Sequence, residues 1–252
     1  MSLLGAGLGL AGILALLAFS AQYNYWRPSA PWSAPRILMY HSVSADEPSR
    51  GINLSPARFE AQVAWFARQG FEFCTITGLL SAPKDGRKRV ALTFDDGFEN
   101  NASVAWPILK KYGAKATIYL SPAKPETRLL SPAQIRAMAD SGDIEFGAHT
   151  VNHINLKNVP DDEAAAQIRR SRELAAELSG KPCTAFAYPY GRFEARHVRM
   201  VEEAGFSNAV TTKKHILPDP AAQPFEIPRI SVNGEMNRLQ FLIAVRKGRY
   251  RV

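Results

Sequence analysis

Apolar, β-rich runs alternate with helix-patterned stretches from Arg36 nearly to the C-terminus, and this alternation restricts the chain to few architectures. The runs that fit strands are Arg36–Tyr40, Phe71–Ile76, Arg89–Phe94, Lys115–Leu120, Asp143–Gly147, Thr184–Ala187, Asn208–Thr212 and Glu226–Val232. Between them, helices carry clear start signals. Ser55-Pro56 supplies an N-cap and a proline at the first helical position, after which Phe59, Val63 and Phe66 share one face. Ser131-Pro132 repeats the device, with Ile135, Met138 and Ala139 inward. Asp161–Leu178 ends at Gly180 with Pro182 beyond, and Glu194–Ala204 stops at Gly205. Strand–helix alternation with continuously apolar strands predicts a parallel sheet covered by helices. Seven or eight such units favour a closed or nearly closed βα barrel over an open doubly wound sheet.

The segment before the first strand has another character. Leu3–Phe19 is uncharged and apolar, and its 17 residues span about 25 Å as a helix, close to the roughly 30 Å of a bilayer core. Tyr23, Tyr25 and Trp26 then sit where an interfacial belt would. A cleaved signal peptide is the rival, since Ala18-Phe19-Ser20 offers small residues at suitable offsets, but a charged n-region is missing. Residues 1–22 are expected to be a membrane anchor or signal peptide, with the uncleaved anchor preferred. Residues 23–35 read as a Pro/Ser/Trp-rich extended linker, and 36–252 as the folded domain. By charge bias alone, Arg27 and Arg36 would hold the domain side in the cytoplasm. The net charge of +8 suits anionic surfaces. Nucleic acid is not an expected partner, because the basic residues are scattered and accompany no recognised motif. Arg87-Lys88-Arg89 and the tail from Arg246 to Arg251 read as solvated surface, and Cys74 and Cys183 as buried free thiols.

In βα barrels, catalytic residues sit at the carboxyl ends of strands. Here Tyr40-His41 follows the first strand, and Asp95-Asp96-Gly97 follows the run Arg89–Phe94. His149 and His153 follow Asp143–Gly147, and Tyr188-Pro189-Tyr190-Gly191 follows Thr184–Ala187. Adjacent carboxylates at the end of an apolar strand need a cation or donors nearby. Two imidazoles four apart can face one metal ion, and Asp96 can complete a two-His, one-carboxylate set with open positions for water and substrate. His197 and His215 read as structural or exposed.

Thr93-Phe94-Asp95-Asp96-Gly97, His149-Thr150-Val151-Asn152-His153 and Tyr188-Pro189-Tyr190-Gly191 resemble the first three motifs of the polysaccharide deacetylases, the NodB-homology domain of carbohydrate esterase family four. The resemblance runs from about Arg36 to Val232. It implies a distorted (β/α) barrel of about seven parallel strands and a hydrolase acting on amide bonds of N-acetylated glycans. It makes Asp95 the general base and Asp96, His149 and His153 the ligands of a divalent metal, usually zinc, with cobalt, nickel, manganese or iron as alternatives. Pro189, Tyr190 and Gly191 would wall the substrate groove, and the Tyr190 N–H would help hold the oxyanion. Two departures stand out: Ala187 occupies the place of a base-orienting arginine, and no late histidine follows His215. The poly-β-1,6-N-acetylglucosamine deacetylases resemble this chain in opening with Leu38-Met39-Tyr40-His41 and in the form Phe186-Ala187-Tyr188-Pro189-Tyr190-Gly191. In that subgroup the early histidine is the acid, a role His41 would inherit, and Arg229 could replace the missing arginine. The expected reaction is metal-dependent N-deacetylation of an N-acetylglucosamine polysaccharide by an anchored or secreted protein of the cell envelope. A deacylase of a lipid-linked sugar and a non-catalytic carbohydrate-binding module are the rival readings. The sequence sets no oligomeric state.

Overall fold

In the computed structural model, residues 28–125 and 127–249 are described, with positions 12, 13 and 20. The expected anchor therefore lies, but for those three positions, outside the described residues. Among the described residues, no helix is long and apolar enough to cross a membrane.

The chain runs through β1 (Arg36–Tyr40), a small parallel pair β2 (Ser42–Val43) and β3 (Asn53–Leu54), α1 (Pro56–Arg68), β4 (Glu72–Cys74), α2 (Ile76–Leu80) and β5 (Arg89–Phe94). A π-helical turn, Asn101–Ala105, leads into α3 (Trp106–Lys111). Then come β6 (Ala116–Leu120), α4 (Pro132–Asp140), β7 (Ile144–Ala148), α5 (Asp161–Ser179), β8 (Ala185–Ala187), α6 (Ala195–Glu203), β9 (Asn208–Val210), β10 (Ile230–Ser231) and α7 (Arg238–Lys247). The main sheet is ordered β10-β1-β5-β6-β7-β8-β9, with β4 also on β5, and every pairing is parallel. It curls until its two ends share one segment. Ile227 N–H donates to Ala209 O at 3.0 Å and Arg229 N–H to Lys213 O at 3.0 Å, while Val232 N–H reaches Met39 O on β1 at 3.0 Å.

Period-two alternation divides the core into two layers. Outward residues such as Leu38, Leu92, Phe94, Ile118, Phe146 and Phe186 pack with Phe59, Val63, Phe66, Ile135 and Met138 of the helices. Ile37, Ala91, Tyr119, Ala185, Ala187, Val210 and Ile227 fill the concave side, joined by Ile76 and Leu79 of α2. Gly147 makes room there, since a Cβ at that position would lie 2.5 Å from the Tyr119 ring and 2.7 Å from Ala185 O. The interior is packed, so function is confined to the rim.

Several elements differ from the sequence expectation. Phe71–Ile76 pairs only over Glu72–Cys74, because Thr75 turns the chain by capping α2. Glu226–Val232 contributes just Ile230–Ser231 to a ladder, with Pro228 lacking a donor N–H between its two pairings. The π-turn, α2, α3 and α7 are additional. Pro107 lacks the N–H that would bond the Ser103 carbonyl, a local reason for a widened turn. The described part of the expected linker, 28–35, is docked rather than extended away. Trp32 packs on Trp65 and Phe71 with centroids 6.3 and 5.8 Å apart, Ala34 is buried, and Arg36 bonds the carbonyls of Ala30, Pro31 and Ala34. Burial of apolar surface outweighs the extended preference of proline-rich chain. Cys74 and Cys183 are free and buried. His197 is buried and accepts the Glu194 N–H at 2.9 Å as part of a capping box.

Candidate active site

Strand register assembles the site. Tyr40 pairs with Phe94, so the next residues, His41 and Asp95, emerge side by side. Leu120 pairs with Ala148, placing His149 beside the turn after β6, and the His149 N–H donates to Leu120 O at 2.9 Å. Asp95, Asp96 and His149 are each 2% exposed. His41 and His153 side chains are 19% and 12% exposed, so a substrate reaches the site from their side.

The two adjacent aspartates meet different partners. Asp95 receives a bidentate pair from Arg229, Nη1 to Oδ1 at 2.6 Å and Nη2 to Oδ2 at 2.8 Å. The fully buried guanidinium is fixed by Nε donation to Thr211 O at 3.0 Å and by Nη1 to Thr93 Oγ1 at 3.0 Å. Burial alone would raise the Asp95 pKa, but Arg229, by its charge and its hydrogen bonds, holds it below the usual carboxylate range. His41 Nε2 stands 4.0 Å from Asp95 Oδ2, and its buried Nδ1 has no hydrogen-bond partner. Burial pushes the His41 pKa down, more than Asp95 and Asp96 pull it up.

Asp96 faces the imidazoles. His153 Nε2 lies 3.2 Å and His149 Nε2 3.7 Å from Asp96 Oδ1, a buried oxygen with no hydrogen-bond partner. His149 Nδ1 lies 2.7 Å from Ala187 O. A carbonyl only accepts, so that bond fixes the proton on Nδ1 and leaves Nε2 as a lone pair toward Asp96. One ligand atom from each of Asp96, His149 and His153 lies within 4.8 Å of the others. Two imidazole lone pairs and an orphaned carboxylate oxygen aimed at one point fit a divalent cation. The other carboxylate oxygen, Asp96 Oδ2, is ion-paired with Lys124. Burial and then the charge of His149 lower the His153 pKa to about 4, so that imidazole is neutral and available as a ligand at neutral pH.

The backbone is bent to this end. Among the described residues, the non-glycine residues with positive φ are Asp96 (77°), Thr150 (60°), His153 (56°) and Tyr190 (58°). For L-residues this conformation costs roughly 1–2 kcal/mol each, and most for the β-branched Thr150. Strain gathered at one rim is the pattern of a site held by the surrounding fold. Tyr190 is 58% exposed, with its ring centroid 4.5 Å from that of His153. Pro189 before it is buried, and Gly191, at φ 64°, has no room for a side chain against Thr212. Tyr188 stacks on Phe193 at 4.1 Å and donates to Phe225 O at 3.1 Å, anchoring the turn.

The structure thus brings His41, Asp95, Asp96, His149, His153, Tyr190 and Arg229 to one rim. Lys124 is the residue that sequence reasoning missed. It follows β6, so extending the strand-end rule to that strand would have found it.

The polysaccharide deacetylase family profile matches residues 82–209, about half of the chain, and the chain belongs to that family. It is 31% identical over 182 residues to a putative polysaccharide deacetylase of Bacillus subtilis, covering 70% of this chain and 64% of that protein. The chain thus spans less than two thirds of that relative's length. It is 25% identical to the poly-β-1,6-N-acetyl-D-glucosamine N-deacetylase of Staphylococcus epidermidis, over 77% of this chain and 72% of that one. Among solved structures, the Streptococcus pyogenes deacetylase PplD, in complex with acetate, superposes with a TM-score of 0.74 at 25% identity. That match covers 84% of this chain and 98% of PplD. IcaB from Ammonifex degensii gives 0.68 at 26% identity, covering 79% and 92%.

Proposed function

We propose that this protein is a metal-dependent N-deacetylase that hydrolyses acetamido groups of an N-acetylglucosamine-containing polysaccharide to free amine and acetate. It would work at the cell envelope, held there by residues 1–22. One observation carries the reading: two adjacent aspartates are drawn to opposite partners, Asp95 to a buried arginine and Asp96 to two imidazoles. The name of the staphylococcal relative supports the substrate class.

Asp96, His149 and His153 would hold the cation, zinc being the first candidate for two imidazoles and a carboxylate. When bound, a divalent cation acidifies water and polarises a carbonyl, which suits a base as weak as Asp95. Asp95 accepts the proton of the attacking water, and Arg229 keeps both carboxylate oxygens in place while that happens. The Tyr190 N–H donates to the oxygen that becomes negative, and its ring walls the groove beside His153. His41 gives a proton to the departing amine, which is otherwise a poor leaving group. Its lowered pKa means that the protonated form declines below the pH at which ordinary histidine titrates. The rate should therefore fall on an alkaline limb that begins below about pH 6.5.

Acetate release from N-acetylglucosamine oligomers by metal-loaded protein tests this. His41→Ala should lower turnover by about 10²–10⁴-fold with metal content unchanged and should remove the alkaline limb. Undiminished acetate release by His41→Ala would overturn the acid assignment. No release by the native chain on any such oligomer would overturn the substrate class.

A further inference from the structure

A second feature lies away from the catalytic rim. Between α1 and α7 runs a groove of about 400 Å³ lined by Arg58, Trp65, Arg68, Met236, Arg238 and Leu242 among others. Its floor is rigid and aromatic, with Phe241 packed on Trp65 and Phe66 at centroid distances of 5.9 and 5.8 Å. All three arginines are exposed, and no carboxylate is among the lining residues. Arg58 donates to Gly234 O, while neither Arg68 nor Arg238 has an ion-pair partner among the described residues. Arg87, Arg170 and Arg196 each pair with a carboxylate, from Asp85, Glu173 and Asp161, whereas no carboxylate lines this groove. An apolar floor edged by exposed arginines suits a phosphate ester whose remainder is apolar.

We infer that this groove binds the headgroup of an anionic phospholipid and seats the domain on a membrane surface. Charge complementarity is the first argument. The second is that the described segment leading into β1 docks on these same two helices. Trp32 packs on Trp65, and the Ala30 N–H donates to Arg246 O of α7 at 2.9 Å. The third is Leu239, which lies outside the groove lining but is 51% exposed in the same first turn of α7 as Arg238. An apolar side chain there serves an acyl boundary and has no use for a free phosphate ion. The inference stands apart from the chemistry proposed for the catalytic rim.

The test uses the full chain in nanodiscs of phosphatidylcholine, alone or with about a third phosphatidylglycerol. Amide deuterium uptake over 56–68 and 236–247 should slow in the anionic discs only. Arg68→Gln with Arg238→Gln should weaken that dependence on anionic lipid by roughly twenty-five-fold, taking a factor of about five for each surface arginine. Arg68→Lys with Arg238→Lys, which keeps the charge, should retain most of it. Both side chains are exposed, and an unchanged thermal midpoint will show that the variants fold. Equal uptake in the two kinds of disc would overturn the inference. So would protection that persists in the glutamine variant, since another segment or a second copy would then cover the groove. Protection by millimolar inorganic phosphate with neutral discs would make this a free-anion pocket and overturn the lipid assignment.

Discussion

Carboxylates are held at both ends of the sheet, Glu145 half-buried and Asp95 and Asp96 buried, and their surroundings differ in kind. Glu145, near the start of β7, is satisfied by protein. It accepts the Thr117 hydroxyl at 2.8 Å and the Thr77 N–H at 3.2 Å, and it bonds the Thr77 hydroxyl as well. At the far rim, Asp96 Oδ1 is buried with no hydrogen-bond partner while two imidazole nitrogens approach it. Asp95 is tied to Arg229 with a histidine waiting at 4.0 Å. The contrast shows that an acid enclosed at a sheet end does not by itself mark a site. An acceptor that the fold leaves unsatisfied, on a backbone held in left-handed conformations, does.

Three experiments would break or sharpen that contrast. The largest difference should come from one substitution at each end. His153→Ala removes a metal ligand, and acetate release and metal content should both collapse, turnover by more than about 100-fold. Glu145→Gln should leave turnover within a few-fold and cost about 1–3 kcal/mol in urea unfolding, since it disturbs a satisfied network. If Glu145→Gln abolished activity with the fold intact, the two ends would not be separable in this way.

Arg229→Met tests the Asp95 half of the comparison. It leaves a buried carboxylate without its partner and should destabilise the protein by about 3–5 kcal/mol at neutral pH. The sign of the pH dependence is also fixed. In the native chain the depressed Asp95 pKa gives stability that is complete above the unfolded carboxylate pKa, about 3.9, and is lost as pH falls toward the folded value. In the variant burial dominates, so the penalty should ease as pH falls and Asp95 protonates. Urea titrations at a series of pH values would show it, and parallel profiles for the two proteins would contradict it.

A smaller effect concerns His153. Its folded pKa of about 4 lies below the unfolded value near 6.5, so protonation favours the unfolded chain. The metal-free protein should lose stability progressively between about pH 6.5 and 4. The proton on this imidazole should compete with metal only below about pH 4. Chelator competition at stepped pH would measure this, and His153-dependent loss of affinity between pH 7 and 6 would contradict it.

How much of this was legible in the sequence depended on locality. The spans of β1 and β5 match their apolar runs residue for residue, and the motif residues at the strand ends converge as the barrel rule requires. α7 was missed, although Asn237 and Gln240 form a capping box at its start. Its apolar residues are nearly continuous and show no amphipathic stripe. Arg229 carries no motif linking it to Asp95: it stands 134 positions away, and only closure of the sheet brings them together. The docking of Trp32 on Trp65 is likewise tertiary: nothing in a Pro/Ser/Trp-rich stretch says which surface it will meet. Lys124 lacked a motif, and its place after β6 was its one signal, given meaning by its ion pair with Asp96.

The central claim is that the adjacent aspartates divide the work, Asp95 moving a proton and Asp96 holding metal. Asp95→Asn and Asp96→Asn, each assayed for bound metal per chain and for acetate release, test it most directly. The account predicts that Asp95→Asn keeps its metal and loses turnover, while Asp96→Asn loses both. Substantial acetate release by Asp95→Asn, or full metal retention by Asp96→Asn, would contradict it.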